Sequence, residues 1–571
     1  MSAPNRLLGL IGGLFFLGAC SQSAPASAPL PAPIPSITLF SAPTIHTMDE
    51  DQPTAQAFAV GADGRIVAIG ALEKLRADFP QAQVMPLEGA ITPGLIDAHG
   101  HLLGLGQFLR SANLIGAQSL AEALQRLQTA AADLPAGAWL IGRGWDQNDW
   151  PGGRFPSAAD LDALFPDRPV YLERVDGHAA WVNSAAMALA TQSLDGDWQP
   201  DGGQIQRRRG KATGILIDSA ANLVAAAIPP LTLEDRKAYY AEAFAHLLAL
   251  GVTGAHDMGV SAADLDALSA MAEAGDIPLR VYAFADGDGE ALDRLCARGH
   301  VDHPGGRLEM RGVKLYADGA LGSRGAALFE DYSDDPGNRG LFVTEPMELK
   351  RIMTRAAECG VQVGAHAIGD RGARVVLDGM VAALTAFPQA DHRWRMEHAQ
   401  VLAAEDIARF AELGVIASVQ PTHATSDMPW APTRLGPERL RGAYAWRSLL
   451  NAGARLALGS DFPVEAANPL AGVYAAETRS DATGRPPGGW RPEEALSRQE
   501  ALRGFTTDAA FAGFAEGELG ALRVGARADF VVWPADPAAI APKALLSLAP
   551  MAVYVDGSLA WPSETAASQA K

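Results

Sequence analysis

A chain of 571 residues with 48% hydrophobic content is too long for one small core and calls for two or more domains, or one barrel-sized domain with additions. Its formal charge of −20, from 46 basic and 66 acidic residues, argues against a nucleic-acid partner, because neutralising phosphates takes clustered Lys and Arg. The densest basic run, Arg207-Arg208-Arg209-Gly210-Lys211, reads as a solvated loop.

In residues 1–19, Arg6 precedes an apolar segment that has the length of a signal-peptide core and is too short for a comfortable membrane span. Leu17-Gly18-Ala19-Cys20 resembles the lipobox of bacterial lipoproteins, in which the cysteine is lipidated, and Ser21 resembles an outer-membrane sorting residue. The expectation is a protein held at the bacterial cell envelope by a lipid anchor on Cys20, at the outer membrane facing the periplasm; a plain secretory signal is the alternative. Residues 20–36, rich in Pro, Ala and Ser, read as an extended tether. Only Cys296 and Cys359 remain beyond Cys20, and their spacing does not say whether they pair.

Residues 37–90 include FAVGADGRIVAIG, an alternating pattern around a Gly-containing turn, and residues 515–565 include ADFVVWPAD and AVYVDGSLAW of the same character. The two ends are expected to form one small β-sandwich bracketing the barrel assigned to residues 91–514.

That barrel opens with ITPGLIDAHGH. Residues i and i+2 of a strand share a face, so His99 and His101 are expected to point into one cavity. An insertion of about residues 106–230 follows, with strand-like pieces AWLIGRGWD and PVYLERVDGHAAWVN. Then come GVTGAHDMG, PLRVYAFADG, RGVKLYADGA, VQVGAHAIGD, RWRMEHAQ, VIASVQPTHA and RLALGSDFPVE, alternating with Ala/Leu-rich helical stretches. Eight such strands predict an α/β fold, a (β/α)₈ TIM-like barrel, whose active site gathers at the C-terminal strand ends. The metal-competent residues His99, His101, Lys314, His366, His398 and Asp461 fall at the ends of strands one, four, five, six and eight.

With these motifs in order, the chain resembles the amidohydrolase superfamily, in its amidohydrolase 3 branch, which includes N-substituted formamide deformylase. The carriers are PGLIDAHGH, GRGWDQNDW, RVDGHAAWVNS, GVKLYADGALGSRGA, AHAIGDRG, RMEHAQ, QPTHATSDMPW, GSDFPVE and GARADFVVW. The resemblance implies a binuclear metal site for two divalent ions, Zn²⁺ first among them, with Mn, Co and Fe open. His99, His101 and Asp461 would hold one ion, His366 and His398 the second, and Lys314 would bridge them as a CO₂-derived carbamate. The alternative for Lys314 is an ammonium paired with Asp318 or Asp461. The implied chemistry is attack by a metal-bridging hydroxide on an amide, formamide or cyclic amide, with Asp461 as proton shuttle.

His178, Asp318, Arg324 and His423 are candidates for substrate contact. Asp370 and Arg371 read as an ion pair or as further contacts, and Trp145, Trp150 and Trp430 as a pocket wall or as packing. Two other readings stay open, a mononuclear deaminase and a non-catalytic envelope binding or regulatory protein. The expected partner is a small-molecule amide, and oligomeric state, a homodimer included, is open.

Overall fold

Eight short apolar runs form the parallel strands of a barrel. In the computed structural model, which describes residues 37–562 apart from 133, 136, 175–178 and 201–202, they are β1 (Leu95–Gly100), β2 (Val252–Val260), β3 (Arg280–Asp286), β4 (Leu308–Tyr316), β5 (Gln362–Ala367), β6 (Arg395–His398), β7 (Ile416–Val419) and β8 (Leu456–Leu458). The signal segment, Cys20, the tether and His178 lie outside the described residues. Among the described residues no helix is long and apolar enough to cross a membrane.

Each strand pairs with the next from β1 to β8. The circle closes through the turn after β8, where Asp461 N–H donates to His99 O at 2.7 Å and His101 N–H donates to Phe462 O at 2.8 Å. This closure explains the glycine between the two histidines: a Cβ at Gly100 would sit 2.2 Å from the Phe462 ring. Gly459 is required in the same way, since its Cβ would lie 2.5 Å from His99 N. The strands are buried on both faces, which is why they read as near-continuous apolar runs.

Local signals agree with the helices that cover the barrel. Helix Ala262–Ala274, after β2, begins with a reciprocal capping box between Ser261 and Asp264 and stops at Gly275, whose φ of 79° suits glycine. Cys296, on helix Glu290–Arg298, and Cys359, capping helix Pro346–Glu358, form a disulfide. The helices so joined precede β4 and β5.

The insertion interrupts the first βα unit. After helix Leu102–Arg110 the chain builds a six-stranded sheet in the order Gly203–Arg208, Lys211–Asp218, Ala179–Val182, Val170–Arg174, Leu140–Trp145, Ala112–Asn113, then returns through helix Leu233–Ala249 to β2. Trp145 and Trp150 are packing in its core: both are buried, and their indole N–H groups donate to Leu172 O and Ala117 O.

Both chain ends enter one eight-stranded sheet, ordered Ser558–Trp561, Ala552–Val555, Phe530–Trp533, Ala90–Pro93, Thr38–His46, Thr54–Val60, Ile66–Gly70, with Gln83–Pro86 pairing on Thr38–His46. Phe58 and Phe530 lie three strands apart, about 14 Å in a flat sheet. Their rings are 5.1 Å apart, so the sheet curls around an aromatic core that includes Phe40 and Tyr554. Ala90–Pro93 belongs to this sheet, and the chain passes into the barrel at Gly94, where a Cβ would strike the Thr253 side chain. Arg280, at the start of β3, fastens sheet to barrel by ion pairs with Asp529 and Asp556.

Candidate metal centre

Strand alternation puts His99 inside the barrel, fully buried. His101 follows β1 as the N-cap residue of helix Leu102–Arg110, with its side chain about one-third exposed. Lys314 on β4, His366 on β5, His398 ending β6 and Asp461 beyond β8 close in from the other walls. One donor atom each from His99, His398 and Asp461 lies within 4.8 Å of the others. His101 Nε2 joins at 3.1 Å from Asp461 Oδ1, and the His366 ring lies 4.6 Å from that of His398. Lys314 Nζ is 3.4 Å from His99 Nε2. Among the described residues no ion pair joins Lys314 to Asp318 or Asp461, while Glu397 and Asp461 lie near enough to favour its charged form.

Two of the imidazoles are oriented from behind. His99 Nδ1 donates to Glu397 Oε2 at 2.7 Å, and His398 Nδ1 donates to Gln420 Oε1 at 2.7 Å, which leaves each Nε2 as the free electron-pair donor. Glu397 is itself ion-paired with the fully buried Arg395, which also donates to Ala98 O and Ser418 Oγ. Asp97 ties β1 to the turn after β8 by accepting from Ser460 Oγ at 2.7 Å and from the Ser460 and His99 N–H groups.

Electrostatics favour neutral imidazoles and oppose the buried ammonium. Burial pushes His99 down to about 4 and His366 down to about 3, and holds His398 well below its ordinary value. Burial likewise lowers the Lys314 ammonium from its ordinary value. Burial disfavours the Asp461 charge, yet its interactions with His99, with His101 Nε2 and with His398 hold the carboxyl well below its ordinary value. His366 Nε2 and His423 Nε2 are buried without a hydrogen-bond partner. Neutral imidazoles, a carboxylate and unpartnered buried nitrogens converging on one point fit a divalent metal ion.

Backbone geometry is unusual at the same place. His398 has φ 73° and Asp461 φ 61°, a region non-glycine residues seldom occupy, at a cost on the order of 1–3 kcal/mol each.

The expected substrate contacts are dispersed. His423, on helix Pro421–Asp427 after β7, is at the centre, with Nε2 3.6 Å from Asp461 Oδ2. Asp318 is 2% exposed, and its carboxylate accepts the N–H groups of Ala327, Ile368 and Gly369; it fastens the loop after β4 to the end of β5 and lies 3.6 Å from His366 Nε2. Arg324 pairs with Asp334, which also takes Arg434, so it helps dock the β4 loop onto the helices after β7. Trp430 lies within contact range of that loop at Gly322. Asp370 and Arg371 do not pair through their side chains: Asp370 accepts the N–H groups of Phe329 and Arg371, and Arg371 covers the Phe342 ring.

Sequence reasoning missed Glu397 and Gln420. Glu397 stands beside His398 in RMEH, and regular alternation assigns neighbours to opposite faces. The left-handed backbone at His398 breaks that alternation, so both side chains reach the centre.

Comparison with known proteins finds relatives along most of the chain. The model of the amidohydrolase family matches residues 83–560. An Arabidopsis thaliana protein named LONG AFTER FAR-RED 3 is 36% identical over 88% of this chain and 88% of its own length. A Bacillus subtilis protein provisionally named as an amidohydrolase, YtcJ, is 34% identical over 90% of this chain and 98% of its own. The N-substituted formamide deformylase of Arthrobacter pascens is 29% identical over 90% and 96%. The crystal structure of an uncharacterized metal-dependent hydrolase from Pyrococcus horikoshii superposes with a TM-score of 0.76 at 30% identity, covering 89% of this chain and 99% of that one. With its barrel and these matches along most of its length, the chain is a hydrolase and belongs to the amidohydrolase family.

Proposed function

We propose that the protein hydrolyses a non-peptide carbon–nitrogen bond, an amide, formamide or cyclic amide, in a small molecule. The observation that carries this reading is the closure of His99, His398 and Asp461 within 4.8 Å, ringed by His101, His366 and Lys314. The name of the Arthrobacter relative supports the bond class.

His99, His101 and Asp461 would hold one divalent ion and His366 and His398 a second, with Zn²⁺ the first choice for such donors. When bound, the ions supply Lewis-acid polarisation of the substrate carbonyl and activation of water at neutral pH. Lys314 would add an anionic ligand between these residues as a CO₂-derived carbamate, its Nζ bonding to the carbon of CO₂ and releasing a proton to water. Burial of the amine, which opposes its charged form, supports that step. Asp461 accepts the proton of the attacking water and passes it to the leaving nitrogen. Arg395 and Glu397 keep His99 in the donor tautomer throughout.

One observation favours a second reading. Three donors, not five, meet the 4.8 Å closure, which suits a single ion and a mononuclear deaminase. A panel of N-substituted formamides, acyclic amides, cyclic amides and amino-heterocycles, assayed with metal-loaded and chelator-treated protein, separates the two. Metal-dependent release of amine from amides is expected; ammonia release from amino-heterocycles alone would replace the proposal. No turnover on any member would favour a binding protein.

The envelope location is proposed as well, from the lipobox-like Leu17–Cys20 segment and the Cys296–Cys359 disulfide, a bond that persists in oxidising compartments. Cys20→Ser should release the protein from the membrane fraction, and a variant that stays membrane-bound would refute the anchor.

A further inference from the structure

β7 is one of the three barrel strands that supply no metal donor, yet the chain leaving it crosses the centre. β7 ends at Val419, Gln420 is extended, and Pro421 starts helix Pro421–Asp427 at once. The N–H of His423 donates to Gln420 O at 3.1 Å, closing the first turn. The side chains of Gln420 and His423 both reach the metal centre.

We propose that residues 420–423 form a positioning arm for the metal centre, in which Gln420 sets His398 and His423 sets Asp461; the inference rests on the metal-dependent reading above. Gln420 is 3% exposed. Its Nε2 donates to Ser418 O at 3.3 Å, which turns its Oε1 onto His398 Nδ1 at 2.7 Å. An amide carbonyl there accepts only from the Nδ1–H tautomer and leaves Nε2 as the ligand atom.

His423 addresses the other half of the centre. The two oxygens of Asp461 are divided: Oδ1 lies 3.1 Å from His101 Nε2 and 3.4 Å from His99 Nε2, whereas Oδ2 lies 3.6 Å from His423 Nε2. That nitrogen is buried and has no hydrogen-bond partner, and its ring lies nearly parallel to His398, 15° and 5.9 Å away. A small approach makes it a donor to Oδ2, holding Oδ1 toward the histidines of β1.

The helix that carries the arm is fixed at its far end too. Asp427 Oδ2 accepts from Tyr444 Oη at 2.5 Å and from Gln400 Nε2 at 3.0 Å, and Gln400 is two residues beyond His398. The arm is thus pinned to the His398 segment at both ends. The residues it holds, His398 and Asp461, are the two donors with left-handed backbone, where an ordinary strand does not dictate the direction of the side chain.

The test is chelator competition for Zn²⁺ on the metal-loaded full protein, with bound metal read by elemental mass spectrometry and apo-protein melting as a check on the fold. Gln420→Ala and His423→Ala are each expected to weaken metal affinity about 10- to 100-fold, at unchanged stoichiometry and unchanged apo melting. Gln420→Glu, which retains an acceptor for His398 Nδ1–H, is expected to restore most of the loss. Unchanged affinity in both alanine variants would overturn the proposal, as would failure of Gln420→Glu to rescue. Loss of a whole metal equivalent in His423→Ala would overturn it in favour of a ligand role. A wild-type protein that binds no Zn²⁺ would overturn the metal-dependent reading along with this one, an outcome distinct from wild-type binding that the variants leave unaltered.

Discussion

Glu397 accepts the Nδ1–H of His99 at 2.7 Å where both side chains are fully buried, and the same carboxylate is ion-paired with Arg395. One acid therefore orients a metal ligand and balances a buried guanidinium. The two duties separate by mutation. Glu397→Gln keeps an acceptor for His99 and is expected to lower metal affinity about 10- to 100-fold. Glu397→Ala also leaves Arg395 buried without its partner, at a further cost of about 3–5 kcal/mol in stability. Chelator competition and urea unfolding read the two effects; equal metal affinity in wild type and Glu397→Gln would show that the carboxylate does not tune the site.

Asp461 combines a ligand oxygen with a left-handed backbone. Asn tolerates that backbone as Asp does, so Asp461→Asn should retain the fold by circular dichroism while losing the proton acceptor. Turnover is expected to fall by about 10²–10⁴ on whichever amide proves to be a substrate. Retained activity would sink the shuttle role.

Asp257 on β2 gives a pH signature. Its Oδ1 accepts Leu102 N–H at 2.9 Å, its Oδ2 is buried without a partner, and burial pushes the carboxyl up from 3.8 to about 7. A folded-state value above the unfolded one means that the stabilising neutral form is fully available below pH ~4, and that stability is lost as pH rises from about 4 to about 7. The ceiling on that loss is on the order of 4 kcal/mol. Asp257→Asn keeps the acceptor for Leu102 and removes the titration. In metal-free protein its urea midpoint should gain on wild type between pH 4 and pH 8; a constant difference would contradict the buried-carboxyl account.

Cys296 and Cys359 close a loop of 63 residues between the helices preceding β4 and β5. In the chain-entropy view such a link is worth roughly 4 kcal/mol. Cys296→Ser, or wild type with a reductant, is expected to melt lower than oxidised wild type. Identical melting curves would mean that the bond is not formed in the isolated protein.

The barrel was legible because its strands read as buried apolar runs, with metal-competent residues at the ends of five of the eight. His99 lies inside the barrel as strand alternation expects, whereas His101, expected on the same strand face, caps the helix that follows. Glu397 and Gln420 were not legible, since their roles arise where regular strand geometry stops, at the bend of His398 and the turn into Pro421. Asp318 and Arg324 show the same limit for loops. Both follow β4 closely, but their partners, Ile368, Gly369 and Asp334, are brought to them by long-range folding that local spacing does not encode. A small β-sandwich was expected from the matching ends; the segments instead share one eight-stranded sheet, whose boundary at Gly94 depends on a single close approach to Thr253.

The most direct test of the account is metal content by elemental mass spectrometry on signal-free protein purified with and without bicarbonate and added Zn²⁺, beside Lys314→Ala. The account predicts about two ions per chain for wild type with bicarbonate, falling in the Lys314 variant. One ion per chain, unaffected by Lys314→Ala, would contradict the carbamate-bridged pair and leave the single-ion deaminase reading in its place.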